Sequence, residues 1–219
     1  MIVQVYEVAD PHEARLMADA GVDHVGVLVG QGAYPREIDH DQAREIFRAL
    51  PGQTRGVALT LSSDTLEILE TVEAVQPDVL HLGTLPESLS PEAILQIRAA
   101  CPGVEIMRSI PVQDESALLA ASRFAGVSDY LLLDSHVPGD TQVGATGTTH
   151  DWGISRAIVL RERIPVLLAG GLGPDNVTRA IEAVGPAGVD SKTGTDRAGT
   201  HRKDVRKVRE FVRMARSCR

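Results

Sequence analysis

The stretch PVLLAGGLGPDNVTRAIEAVG, residues 165–185, contains the pattern that determines the fold class. Its first six residues, PVLLAG, form an apolar run, which is typical of a strand that is buried on both faces. A glycine-rich turn follows, and behind it apolar residues recur at spacings of three and four, as on one face of a helix. The stretch is therefore predicted to form a strand, a tight turn and a helix, which together make one βα unit.

The same unit recurs along the whole chain. Helical patterns separate the strand candidates, and several begin with Asp or Ser and end with Gly or Pro, as capped helices do. Eight such units in 219 residues predict an α/β fold, a single-domain (β/α)8 TIM barrel over residues 1–219. A doubly wound open sheet is the alternative, but it rarely needs eight evenly spaced units. The predicted strands are IVQVY (2–6), HVGVLV (24–29), RGVALT (55–60), DVLHLG (78–83), VEIMRS (104–109), DYLLLD (129–134), PVLLAG (165–170) and AGVDSK (187–192).

The composition narrows the class of protein. A net charge of -8 argues against a general surface for nucleic acid or anionic membranes, so an anionic ligand would need a local pocket. No apolar run reaches the ~18 residues of a membrane span, and the N-terminus lacks a signal-peptide pattern. Cys101 and Cys218 lie far apart without a CxxC motif, which indicates neither a disulfide framework nor a zinc site. We therefore expect a cytoplasmic protein with a small-molecule partner, no contact with nucleic acid or membrane, and no metal.

Two adjacent strand exits carry the features of a phosphate site. Gly170 and Gly171 follow the seventh strand, and Lys192, Thr193 and Gly194 follow the eighth. The loops after these two strands of a TIM barrel commonly hold a phosphate, because glycines permit close approach and free backbone N–H groups favour an anion. The alternative is that these are ordinary turn glycines.

Four other polar side chains stand on predicted strands. Asp134 ends the sixth strand, just before the long irregular stretch 135–151, and Asp190 stands on the eighth. Both are candidates for acid–base chemistry or substrate binding, or else cap turns. His81 on the fourth strand is a candidate for substrate binding or a hydrogen-bonded structural residue. Arg108 on the fifth is a candidate anion binder or a salt-bridge partner, since a buried guanidinium must be paired.

Four stretches together resemble the phosphoribosylanthranilate isomerase family. They are LLLDSHVPG (131–139), GATGTTHDW (144–152), LLAGGLGPDNV (167–177) and GVDSKTG (188–194), in the family's order and spacing. The resemblance implies a (β/α)8 barrel and an Amadori rearrangement in tryptophan biosynthesis, in which an aminoaldose phosphate becomes an aminoketose phosphate without a cofactor. It also implies that Asp134 is the general acid and that Arg36, in YPREI, contacts the anthranilate region of the substrate.

The family's general base has no direct counterpart here. It is a cysteine that ends the first strand in a K-I-C-G motif, and the corresponding residues are Gln4, Val5, Tyr6 and Glu7. A phenol with a pKa of about 10 is a poorer base at neutral pH than a thiol with a pKa of about 8.5. Glu7 is the other candidate base, although strand alternation would point it away from Tyr6 unless the chain turns there.

Three functions remain open from the sequence. The first is the family's isomerase reaction with a replaced base. The second is a different isomerase, epimerase or lyase that acts on another phosphorylated sugar on the same scaffold. The third is a phosphate-ligand binding protein without catalysis, since a fold does not fix a function. In each case we expect a monomer or a homodimer that binds a phosphorylated small molecule.

Overall fold

The computed structural model describes residues 1–136 and 149–218 as a closed eight-stranded parallel barrel. Each strand pairs with its neighbours in chain order, and β8 pairs with β1, which confirms the barrel and excludes the open sheet. The strands are β1 Ile2–Tyr6, β2 His24–Leu28, β3 Arg55–Thr60, β4 Val79–Leu82, β5 Glu105–Pro111, β6 Tyr130–Asp134, β7 Val166–Leu168 and β8 Gly188–Ser191.

Helices alternate with the strands around the barrel. Several begin at the Asp or Ser that the sequence predicted as a cap: Asp39 and Gln42 form a capping box on α2, and the Ser90 side chain accepts from Ala93 N on α4. Trp152, the only tryptophan of the chain, is the first residue of α6. The helices are α1 Pro11–Asp19, α2 His40–Arg48, α3 Thr65–Val75, α4 Pro91–Ala100, α5 Ser116–Ala125, α6 Trp152–Arg161, α7 Val177–Val184 and α8 Val205–Ser217, with a 3-10 turn at Thr193–Thr195. No described helix is long and apolar enough to cross a membrane.

The core has two parts, as strand alternation requires. The larger part fills the layer between the strands and the helices, where Leu131 and Leu133 of β6 point outward. The smaller part fills the barrel interior, where Leu132 of the same strand packs near Tyr6 and Met107. The interior is thus a packed core, and a ligand would bind at the end of the barrel formed by the carboxyl ends of the strands.

Candidate active site

A pocket opens at the carboxyl ends of the strands and measures about 220 Å³. All the residues that the sequence predicted for the site line it, except Arg108 and Gly194. These residues belong to β1, β4, β6 and β8 and to the loops behind β1, β2, β7 and β8. Residues that are far apart in sequence meet here because parallel strands end at one face of the barrel. Most of the irregular stretch 135–151 lies outside the described residues.

The loops after β7 and β8 form one wall of the pocket. Gly170 and Gly171 have φ values of 85° and 61°, a left-handed conformation that glycine adopts without strain. As a result β7 ends at Leu168, two residues before its predicted end. Gly194 lies behind this wall: a Cβ there would overlap the Leu172 carbonyl oxygen and stand 2.9 Å from the Gly173 Cα. Gly194 therefore lets the two loops touch.

Two buried carboxyls stand at the pocket floor. Burial raises the pKa of Asp134 to about 7, although hydrogen bonds from the Ser135 N–H (2.7 Å) and the Ser135 hydroxyl (3.3 Å) act in the opposite direction. Burial, together with the charge of Asp134, raises the pKa of Asp190 to about 8. The Oδ1 atom of Asp190 is buried without a hydrogen-bond partner among the described residues. The charge of one carboxylate disfavours ionisation of the other, which favours a state in which one of the two is protonated and the other ionised.

Tyr6 is part of a hydrogen-bonded chain inside the barrel. Its hydroxyl bonds to Nδ1 of His81, and Nε2 of His81 lies 2.7 Å from the Ser109 hydroxyl. Burial lowers the pKa of His81 to about 3, so this ring is neutral. Burial and the charges of Asp190 and Asp134 raise the pKa of Tyr6 further above its ordinary value. The phenolate form that a base would require is therefore disfavoured.

Glu7 turns into the same pocket instead of pointing away from it. Its φ of 62° breaks the strand alternation at the end of β1, so Tyr6 and Glu7 both line the pocket. One carboxylate oxygen pairs with Nη1 of Arg36, and the other lies 2.5 Å from Nζ of Lys192. The carboxylate is thus held between two cations from the loops behind β2 and β8.

Sequence and structure comparisons place this arrangement in a known family. The profile of the N-(5'-phosphoribosyl)anthranilate (PRA) isomerase family matches residues 3–214. The chain is 36% identical to the N-(5'-phosphoribosyl)anthranilate isomerase of Methanocella arvoryzae over 98% of this chain and 97% of that one. It is also 36% identical to the enzyme of that name from Haloferax volcanii, over 99% and 94%.

The chain belongs to the PRA isomerase family.

The solved structure of phosphoribosyl anthranilate isomerase from Thermotoga maritima agrees, with a TM-score of 0.82 and 26% identity over 99% of this chain and 100% of that one.

Arg108 lies away from the pocket of this PRA isomerase family member, which corrects its prediction as a substrate-binding residue. Strand alternation points Met107 and Ser109 inward and Arg108 into the layer under the helices, where its guanidinium stacks 4.9 Å from the Phe124 ring. Its Nη1 donates to the carbonyl oxygens of Leu82 and Thr84 at 2.6 and 2.7 Å. Arg108 thus ties the end of β4 to β5.

Two polar residues of the barrel interior were missed by the sequence analysis. Gln4 is fully buried, and its Oε1 lies 3.1 Å from Nδ1 of His24. Ser109 is the last member of the chain that begins at Tyr6. The available signal was a single polar residue inside an otherwise apolar strand, as in IVQVY, because a barrel strand buries both of its faces.

Among the described residues, no three His, Cys, Asp or Glu side chains are grouped as metal ligands.

Proposed function

We propose that this member of the PRA isomerase family converts N-(5'-phosphoribosyl)anthranilate into the corresponding aminoketose phosphate, with Asp134 as the general acid. The observation that carries the proposal is the pair of buried carboxyls, Asp134 and Asp190, beside a glycine-lined wall suited to a phosphate. Ring opening needs a proton donor, and the later step at C2 needs a proton acceptor. A carboxyl pair of which one member is protonated and the other ionised supplies both.

The acid step uses the raised pKa of Asp134. A carboxyl with a pKa of about 7 keeps a large protonated fraction at neutral pH, unlike an exposed aspartic acid. Its proton passes to the furanose ring oxygen, the bond from that oxygen to C1 breaks, and a protonated imine forms between C1 and the anthranilate nitrogen. Asp134 is then an anion, and the charge of Lys192 stabilises this form.

The base step is better supported at Asp190 than at Tyr6 or Glu7, the two residues that the sequence suggested. Tyr6 bonds to a neutral histidine and has a raised pKa, and Glu7 is held between two cations. Asp190 has an oxygen without a partner and lines the same pocket. Its carboxylate, which is the minority form at neutral pH because the pKa is about 8, takes the C2 proton. The electrons of the C–H bond form the C1–C2 double bond of an enolamine, and protonation at C1 with loss of the enol proton completes the aminoketose.

The substrate phosphate is proposed to bind between the loops after β7 and β8. Gly170 and Gly171 bring the backbone to the pocket there, and Thr193 at the pocket begins a short helical turn, a backbone geometry that favours an anion. Lys192 adds a positive charge at the same wall. Arg36, which pairs with Glu7 in the same pocket, would orient the aromatic half of the substrate. No cofactor is needed, since the reaction only moves protons.

Turnover of N-(5'-phosphoribosyl)anthranilate, followed by loss of its fluorescence, tests the proposal. Asp134→Asn and Asp190→Asn are each expected to lower kcat/KM by about 10²- to 10⁴-fold, the usual contribution of a general acid or base. Tyr6→Phe is the matched control, because it also removes one polar group from the pocket, and it should keep most of the activity. If the wild-type protein gives no turnover while inorganic phosphate still raises its Tm, the reaction is rejected, and the protein either acts on another phosphorylated sugar or binds a phosphorylated ligand without catalysis.

A further inference from the structure

Glu7 is the member of an ion-paired cluster with Arg36 and Lys192 that the proposed reaction does not use. The three side chains join the ends of β1, β2 and β8 across the pocket mouth and are 9%, 23% and 19% exposed. Arg36 and Lys192 are the only cationic side chains among the described residues that line the pocket. An anion that enters the pocket therefore meets two cationic side chains that are already paired with Glu7.

The backbone at both ends of the Glu7–Arg36 pair indicates that the contact is built into the site. Glu7 has φ 62° and Arg36 has φ 71°, and the only other described non-glycine residue with positive φ is Gln76, which ends a helix. Side chains other than glycine rarely adopt this conformation, because it costs free energy. The structure keeps it at two residues that meet each other, which is the pattern of strain at functional sites.

The charges of the substrate then determine what Glu7 does. This step rests on the proposed function, in which the substrate carries a phosphate and an aromatic carboxylate. The phosphate is placed at the β7 and β8 loops beside Lys192, which leaves Arg36 as the cation for the carboxylate. We infer that Glu7 occupies the carboxylate subsite at Arg36 in the free enzyme, so that it competes with the carboxylate of the substrate and sets the selectivity of the pocket for that group.

Competition between Glu7 and the substrate carboxylate for Arg36 predicts the direction in which affinity changes when Glu7 is replaced. A substrate carboxylate must break the contact between Glu7 and Arg36 before it binds, and afterwards two carboxylates face one guanidinium. Neutralising Glu7 should therefore strengthen the binding of the carboxylate. A substrate without that group, N-(5'-phosphoribosyl)aniline, should gain much less, since it does not need Arg36. A purely structural role of Glu7 would affect both substrates alike.

Calorimetric binding of anthranilate to the intact protein is the test. Glu7→Gln is expected to bind anthranilate about tenfold more tightly than the wild type, and Glu7→Gly should shift affinity in the same direction. The glycine variant also suits the left-handed backbone, so it covers the case in which the amide variant does not fold. The matched control is Glu105→Gln, because Glu105 also pairs with an arginine, Arg55, but at the opposite end of the barrel. That control should leave anthranilate affinity unchanged.

The outcomes separate this inference from the proposed function. Equal or weaker anthranilate binding in both Glu7 variants, or binding in none of the proteins, overturns the role of Glu7. If the role of Glu7 is overturned but the wild type turns over N-(5'-phosphoribosyl)anthranilate, the proposed function is kept and only the role of Glu7 is rejected. Tighter binding in the variants without any turnover supports the role of Glu7 and rejects the reaction. Where there is turnover, Glu7→Gln should raise the ratio of kcat/KM for the carboxylated substrate over the aniline analogue by about tenfold.

Discussion

Residue 26 has no side chain, and this lets the ring of Tyr6 fit inside the barrel. A Cβ at Gly26 would overlap the Tyr6 ring. Gly26→Ala is therefore expected to lower the free energy of unfolding by about 1–3 kcal/mol, the usual cost of overpacking. In a Tyr6→Cys background the same substitution should cost much less, because the ring is gone. Urea unfolding of the four proteins checks this, and equal costs in both backgrounds would show that the two residues are not coupled.

Asp134 and Asp190 also predict how kcat/KM depends on pH. At low pH Asp134 and Asp190 are both protonated and the base is lost, whereas at high pH both are ionised and the acid is lost. We expect kcat/KM to be bell-shaped with its maximum near the pKa values of about 7 and about 8. Tyr6→Phe should keep this shape. A rate that still rises near pH 10, the ordinary pKa of a phenol, would indicate Tyr6 as the base instead.

Individual site residues were predictable to the extent that strand position determines where they point. Asp134 and Asp190 both line the pocket, which was predictable because strand ends converge at one face of a barrel. Arg108 was misplaced because its direction depends on register, which a short apolar strand does not reveal. The turn of Glu7 into the pocket was not predictable, because a glutamate gives no signal for a positive φ.

At the scale of elements, the β7 and β8 loops function as a pair. Gly194→Ala would push a methyl group into the Leu172 carbonyl oxygen and the Gly173 Cα, and so separate the two loops. We expect the Kd for inorganic phosphate to rise by about tenfold or more, since small displacements of positioned groups are costly. Calorimetry measures this. Gly126→Ala is the control, because a Cβ there meets nothing within 4 Å, and it should bind phosphate as the wild type does.

Element order and type followed from the sequence, whereas some boundaries did not. The eight predicted strands are all present because a run of apolar residues of this length has few other stable places in a parallel barrel. β7 is only three residues long, since Gly170 and Gly171 leave the extended conformation. β5 continues to Pro111, two residues beyond its predicted end, because pairing with β6 persists to Asp134.

For the whole molecule, buried titratable groups make the free energy of unfolding depend on pH. One set of groups lowers it as the pH rises, and another set lowers it as the pH falls. The pKa values of Asp134 and Asp190, about 7 and about 8, exceed the ~3.9 of an unfolded aspartic acid, so their contribution is lost as pH rises from about 4 to about 8. Burial lowers the pKa of His24 and His81 to about 4 and about 3, so their contribution is lost as pH falls from about 6.5 towards those values. Of these four groups, only the two carboxyls change the stability above about pH 6.5.

A fall in Tm between about pH 6.5 and pH 8 is therefore expected, and scanning calorimetry measures it. Asp190→Asn should reduce this fall, because its amide has no proton to lose. Asp41→Asn is the control, since the Asp41 side chain is 85% exposed, and it should show the wild-type fall. If Asp190→Asn keeps the full fall, the carboxyl is not a source of the pH dependence.

The single tryptophan allows ligand binding to be followed by fluorescence energy transfer. Trp152 begins α6, the helix that follows β6, and therefore stands on the side of the barrel where the pocket opens. Its emission can pass as excitation energy to a fluorescent anthranilate derivative in the pocket. Because the chain has one donor and the pocket holds one acceptor, the efficiency of this transfer reports one distance. Occupancy of the pocket is thus readable by light in the unlabelled protein.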